Sequence, residues 1–314
     1  MPEKTAQLEG ILIVDKPRGI TSHDMVNRLR RLFGLRRVGH TGTLDPFATG
    51  VMVACVGRAT RAAKYFEGLD KAYRAVLKLG EVTDTGDGEG DVVEVLPVPD
   101  LSRERLEEAL EPFRGTIAQR APAYSAVKVG GEPLYARARR GETVEAPTRE
   151  VTVRTLQVES IEGDRIALFI ECSKGTYIRS LAFDVGRRLG CGAHCLRLER
   201  TRVGPFTLAE AAPLEDLEQM GPGEALEKLM RLDEALAHFM EPIGLSSHGA
   251  SLIIHGSPVE EDSVLRLPAT IHAGAAYRAL DGEGRLIAIV EAQRQAQRYR
   301  WVPRRVFAQP EIDL

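Results

Sequence analysis

The 314-residue sequence predicts an α+β protein in two parts: a large domain of strands and helices over residues 1–240, and a small β domain over 241–314. Short apolar or alternating runs, Ile11-Leu12-Ile13-Val14 and residues 51–56, 71–80, 151–156 and 165–172, have the patterns of buried and half-buried strands. Between them helical spacing recurs in Met25, Val26, Leu29, Leu32 and Phe33, in Leu106, Ala109, Leu110 and Phe113, and in Ile178, Leu181, Ala182, Val185 and Leu189. Beyond an acidic helical stretch at 214–240 the pattern changes to short β runs. Among these, Tyr277-Arg278-Ala279-Leu280 and residues 285–290 flank Asp281-Gly282-Glu283-Gly284 as a hairpin.

A chain with 43% hydrophobic residues has enough apolar material for one large and one small core. Its formal net charge of -3 gives no nucleic-acid signal by itself. The distribution is more telling. Arg28, Arg30, Arg31, Arg36 and Arg37 fall in one acid-free segment, and Arg294, Arg298, Arg300, Arg304 and Arg305 in another. Arg114, Arg120, Lys128, Arg137, Arg139 and Arg140 face only Glu132 within 113–140. Solvated helix faces and basic surfaces that follow a phosphate backbone both fit these clusters.

No apolar run approaches the ~20 residues that span a bilayer, and residues 1–9 lack the apolar core of a signal peptide. Four cysteines, Cys55, Cys172, Cys191 and Cys195, are too few for a disulfide scaffold. A cytoplasmic protein is expected. Cys191, His194 and Cys195 have no second Cys/His pair at ligand spacing, so no zinc site is expected.

In chain order, the strand at 11–14 enters the turn Asp15-Lys16-Pro17-Arg18-Gly19, and Thr21-Ser22 with Asp24 has the form of a helix N-cap. Residues 38–50 then place Asp45 between glycine-bearing turns. Pro46 pushes Asp45 out of the helical region, so this acid sits on a loop between a helix and a core strand. An aimed carboxylate and an ordinary turn residue both match that position. Residues 58–66 read as helical. In the strand at 71–80, Tyr73 shares the apolar side with Ala75, Leu77 and Leu79, where a core aromatic is the simplest reading. The run at 83–91 fails the calcium-loop spacing and the dinucleotide fingerprint, leaving a loop. Aromatics interleaved with Arg and Lys at 119–141 suit looped RNA. Arg179 opens a helix, where the dipole mildly disfavours a cation; a carboxylate partner and a simply exposed arginine both fit that position.

These segments together resemble a known family. Gly39-His40-Thr41-Gly42-Thr43-Leu44-Asp45-Pro46, followed by Ala48-Thr49-Gly50, is similar to the catalytic motif of the pseudouridine synthases, in the branch that modifies the T arm of tRNA. The turn at Lys16-Pro17, the Lys-x-Tyr strand at 71–73 and Ser173-Lys174-Gly175-Thr176-Tyr177-Ile178-Arg179 resemble further family motifs, in family order, over about two thirds of the chain. The resemblance implies a catalytic domain with a central mixed, mainly antiparallel sheet flanked by helices. It also implies an RNA-gripping insertion at about 115–150 and a PUA-like RNA-binding module over 241–314. Ala121 and Glu199 depart from the family pattern, which more often has proline and a basic residue there.

The activity so implied is isomerisation of uridine 55 in the T loop to pseudouridine, with no cofactor and no metal. Asp45 would start glycosidic cleavage, Arg179 would pair with it and keep it ionised, and Tyr73 would stack on the flipped base. His40, Tyr177, Leu198, Lys16 and Pro17 complete the implied substrate contacts, with a structural role for His40 equally open. No membrane association and no obligate protein partner are expected. A tRNA folding factor and an RNA-guided subunit of a larger particle remain the alternatives.

Overall fold

The computed structural model describes residues 9–308 except 126, 141 and 143–145. Residues 1–8, and in the insertion Ala126, Gly141 and the side chains of Tyr135 and Arg139, lie outside the described part.

β1 (Gly10–Lys16) leads to α1 (Ser22–Phe33), which starts where Thr21 and Asp24 form a reciprocal capping box and stops at Gly34 in the left-handed region, φ 64°. Met25, Val26, Leu29 and Phe33 form its buried face. β2 (Val38–His40) and β3 (Thr49–Val56) follow. The helical stretch expected at 58–66 is a 3-10 turn, Gly57–Ala62, running into the short α2 (Ala63–Glu67), with no side-chain cap at Val56 to start an α-helix. β4 (Lys71–Leu79), the ribbon of β5 (Glu81–Thr83) with the exposed β6 (Val92–Val95), and α3 (Arg103–Leu110) come next.

The insertion holds β7 (Gly115–Arg120), the small ribbon β8 (Lys128–Val129) and β9 (Glu132–Pro133), and α4 (Leu134–Arg139). The chain returns through β10 (Thr148–Glu162), β11 (Arg165–Cys172), α5 (Ile178–Leu189), β12 (Ala193–Val203), β13 (Phe206–Thr207) and β14 (Ala212–Pro213). α6 (Leu214–Glu227) and α7 (Leu232–Ala237) make up the acidic stretch.

The large sheet runs β14-β1-β3-β12-β4-β11-β10-β7, with β2 and β13 attached. Only β1 with β14 and β3 with β12 pair in parallel. β12 does not close an edge. It enters the centre, between β3 and β4, and brings residues 198–200 beside Tyr73 and Gly50. One face packs against α1, α3, α5 and α6 through a core that includes Leu29, Leu77, Leu106, Leu168 and Leu181.

The C-terminal unit contains β15 (Pro242–Leu245), α8 (Ser247–Ile254), β16 (Val259–Glu260), β17 (Val264–Arg266), β18 (Ala276–Leu280), β19 (Leu286–Gln295) and β20 (Arg298–Val306). Its six-stranded sheet wraps a core centred on fully buried Trp301. The hairpin of β18 and β19 falls where the turn sequence places it. α8, capped by Ser246, has no counterpart in the β-only expectation for this region. A second core joins Ile289 and Phe307 of this unit to Phe66, Leu236 and Met240. Buried Arg278 adds a bond from Nε to the Met240 carbonyl and an ion pair of 2.6 Å to Asp233. Among the described residues no helix is long and apolar enough to cross a membrane.

Candidate active site

The loop carrying Asp45 is fixed from below. Ser22 Oγ accepts from the Leu44 N–H at 2.8 Å and donates to the Leu44 carbonyl at 2.9 Å. Lys16, fully buried, donates from Nζ to the carbonyls of Pro17 (2.8 Å), Ile20 (2.9 Å) and Pro46 (3.4 Å). The Gly19 N–H bonds the Pro46 carbonyl as well. Lys16 was expected among the RNA contacts. It has no surface to offer, and its role is to clamp the first turn onto the Asp45 loop; burial, then nearby Arg200, lowers its ammonium to about 8. Pro17 is half-buried and contributes the carbonyl that accepts from Lys16.

From above, Arg179 reaches down from the first turn of α5. Its Nη2 donates to Asp45 Oδ1 at 3.1 Å, and Nε lies 2.9 Å from Oδ2 as an ion-pair contact without hydrogen-bond alignment. Nη1 donates to the Thr85 carbonyl and Nη2 also to the Tyr124 carbonyl, so the arginine links the Asp45 loop to the insertion. The helix start is held by buried Gln119, whose side-chain amide bonds both the N–H and the carbonyl of Tyr177. The Tyr177 ring is half-buried, 5.7 Å from the Arg149 guanidinium.

A second carboxylate, Asp87, stands 3.7 Å from Arg179 Nη1, with Thr85 Oγ1 and the Glu89 N–H bonded to its Oδ1. It belongs to the Gly-rich run at 83–91, which lies along β12 through bonds between Gly86, Gly88 and Cys195. Arg179 is 4% exposed and Asp45 31%. Burial raises the Asp45 carboxyl above its ordinary range and Asp87 adds to this, while Arg179 and Lys16 pull it back without reversing it. The net direction is therefore opposite to the lowering expected from the Arg179 charge alone.

Tyr73 is 8% exposed on β4, and burial raises its phenol. A cleft of about 340 Å³ opens beside Phe47, Thr49, Ala75 and Leu198, rimmed by Arg18, Arg74, Arg197 and Glu199. Glu199 thus stands among arginines on the rim. His40 is half-buried; its Nδ1 accepts from the Gly42 N–H at 3.2 Å, so a neutral ring carries its proton on Nε2. Burial, then Arg200, lowers its pKa.

The basic segments are less open than their sequences suggest. Arg137 and Arg140 pair with Glu142, Arg140 also with Glu132, Arg28 with Glu218, and Arg304 with Glu291. Exposed Arg31, Arg36 and Arg37 carry the charge of the first segment. The residues that sequence reasoning missed are Asp87, Gln119, Ser22 in its contact with Leu44, and Arg200, which occupies the buried phase of β12 with Leu198. An arginine on the apolar phase of a strand was the one available signal.

Comparison with known proteins agrees with this architecture. Residues 30–178 match the N-terminal domain of the TruB family pseudouridylate synthases, and residues 179–243 the tRNA pseudouridylate synthase B C-terminal domain. A protein of Stutzerimonas stutzeri named tRNA pseudouridine synthase B is 44% identical over 96% of both chains. One of the same name from Pseudomonas aeruginosa is 44% identical over 90% of this chain and 92% of its own. Among solved structures, a Cbf5-Nop10-Gar1 complex matches with TM-score 0.77 and 26% identity, covering 98% of this chain and 88% of that one. An H/ACA RNP bound to a substrate RNA containing 2'-deoxyuridine matches with TM-score 0.75 and 25% identity over the same shares. The fold is that of a pseudouridine synthase. The chain belongs to the TruB family of pseudouridylate synthases.

Proposed function

We propose that this protein converts uridine 55 in the T loop of tRNA to pseudouridine, in the cytoplasm, without a guide RNA or obligate protein partner. One observation carries the reading: a carboxylate held by both oxygens against a buried arginine, with a buried tyrosine on the strand whose Ala75 lines a cleft, in a chain whose 44%-identical relatives are named tRNA pseudouridine synthase B. Substrate and product are isomers, so the reaction draws on no redox cofactor or energy donor. The target base leaves its stack to enter the cleft. Asp45 initiates cleavage of the N-glycosidic bond; attack at the sugar, proton removal from the sugar and attack on the ring all use the ionised carboxylate. Arg179 keeps it oriented, Tyr73 stacks on the base and relays the C5 proton, and Tyr177 and Leu198 line the pocket. His40, neutral with Nε2–H as a donor, contacts the RNA near the vacated stack. The insertion at 115–150 grips the T arm, and residues 241–314 act as a PUA-like RNA-binding module.

The test is incubation of the purified chain with unmodified tRNA transcript, mapping pseudouridine at single-base resolution. Product confined to the T loop supports the proposal; no product despite tight binding favours a folding factor or a guided subunit. Asp45→Asn is expected to lose turnover by at least about 10³-fold with tRNA affinity changed only a few-fold, because affinity rests on phosphates and stacking. Normal turnover by Asp45→Asn would remove Asp45 from its role.

A further inference from the structure

Arg200 is 2% exposed, and among the described residues no carboxylate lies within ion-pair distance of it. Its partners are neutral: Nε donates to the Val51 carbonyl at 2.7 Å, Nη2 to the Gly42 carbonyl at 3.2 Å and toward Met52 Sδ at 2.6 Å, and Nη1 to the Thr43 carbonyl at 3.4 Å. The guanidinium thus passes β3 and grips the two carbonyls just ahead of Leu44 and Asp45. Gly50, its neighbour on β3, has φ 105°, and a Cβ there would fall 2.3 Å from the Arg200 carbonyl oxygen, so β3 and β12 meet more closely here than another residue permits. On its other side Arg200 pairs in register with Tyr73 of β4.

Burying an ion with no counter-charge is costly, and an apolar side chain would pack the same space without that cost. A fork that meets carbonyls from two segments explains arginine over lysine. The retained charge needs a further reason, which its position supplies: Asp45 lies ahead of it along the loop and Tyr73 beside it.

We propose that Arg200 is a positioning residue for the isomerisation: its fork fixes the loop immediately before Asp45, and its charge sits as a permanent cation next to Tyr73. The inference rests on the reading of Asp45 and Tyr73 given above. In the closing step the C5–H bond breaks, its electron pair returns to the uracil ring, and the proton passes to the Tyr73 oxygen as phenolate and then through water to N1, so substrate and product remain isomers. A phenolate in a buried site needs a cation that does not titrate. The charged and titratable groups that bear on Tyr73 are Arg200 from β12, Cys172 from β11 and Asp45 from the loop; of these Arg200 alone favours the phenolate, against the opposing effect of burial.

The experiment compares wild type, Arg200→Lys and Arg200→Met in single-turnover assays on tRNA transcript between about pH 6 and 9, with tRNA affinity and melting temperature measured alongside. Arg200→Lys loses the fork and keeps a cation only until the buried ammonium titrates, so its rate should fall about 10- to 100-fold near pH 6 to 7 and further toward pH 9. Arg200→Met loses both; its rate should fall about 100- to 1,000-fold, with the alkaline rise displaced to higher pH and affinity within a few-fold. Should Arg200→Met not accumulate as folded protein, Arg200→Gln takes its place. Wild-type rates in folded variants, a loss confined to tRNA affinity, or one shared pH profile with equal losses in the Lys and Met variants would overturn the proposal. Absence of product from wild type would instead sink the tRNA reading itself.

Discussion

On the α5 side of the Asp45 loop the cation Arg179 faces two carboxylates, Asp45 and Asp87. On the opposite side Lys16 and Arg200 hydrogen-bond to carbonyl oxygens and a thioether, and Arg200 also lies beside Tyr73. Carboxylates change charge with pH and with the progress of a reaction, so interactions on the α5 side respond to chemistry. Carbonyl dipoles do not titrate, so apart from the contact of Arg200 with Tyr73 the opposite side mainly holds a shape. One loop is therefore mounted between a responsive side and an inert one, and Asp45 can change state without the loop moving.

The sharpest break in that comparison is at Arg179. Arg179→Met leaves Asp45 without its cation and the carbonyls of Thr85 and Tyr124 without a donor. The rate should drop at least about 10³-fold. Stability should fall about 2–4 kcal/mol in urea unfolding, toward the low end for a broken buried pair because Asp45 is partly open to solvent. A rate within tenfold of wild type would mean that the α5 side does not respond to the chemistry.

Lys16→Met tests the inert side. Three carbonyls lose a donor, and the loss at pH 7 should be about 1–3 kcal/mol. The pH dependence carries the sign. The Lys16 ammonium titrates at about 8 in the folded state against an ordinary 10.5, so the native protein sheds this proton first. Between those values the unfolded chain binds more protons, and stability rises with pH by up to about 1.4 kcal/mol per unit from this group. Below 8 the term is flat. Wild type should thus gain on Lys16→Met as pH climbs from 8 toward 10. Lys71, lowered in the same direction, is present in both proteins and cancels. A constant gap would show that Lys16 is not titrating where it is buried.

Ser22→Ala removes both bonds to Leu44, the smallest of the clamps. About 1–3 kcal/mol of stability should be lost, with about a tenfold fall in rate as the loop loosens and tRNA affinity unchanged. A rate loss without a stability loss would place Ser22 on the responsive side instead.

What the sequence made legible divides along the same line. The strands and helices of the large sheet follow from apolar periodicity, because each buries one continuous face. Asp45, Tyr73 and Arg179 stood out through motifs that are local in sequence. Arg200 and Asp87 did not, because their partners are set by β12 entering the centre of the sheet, and the bond from Arg200 to Val51 spans 149 positions. Local pattern has no access to such pairings. The basic segment at 113–140 shows the converse error: Glu142, just past its end, pairs with Arg137 and Arg140, so a charge count over a window overstated the free cation. α8 escaped because Ser247–Ile254 carries only Gly249, Ala250 and Ile253 as buried positions, too short a period to register against its β-rich surroundings.

The subtlest difference between the two sides lies in pH. The Asp45 carboxyl is raised by burial and by Asp87, so the acid limb of kcat/KM, which reports the free enzyme, should fall above the ordinary aspartate value of 3.8. Asp87→Asn removes the like charge and keeps the shape of the side chain. The Asp45 proton then leaves more readily, and the acid limb should move down in pH. Changes on the inert side act on Asp45 with the other sign: Lys16 is a cation that favours its ionised form, and Lys16→Met should move the same limb up. Opposite displacements in two variants of one pH–rate profile would establish that both sides act on the same carboxylate. Displacements of equal sign would assign the limb to another group.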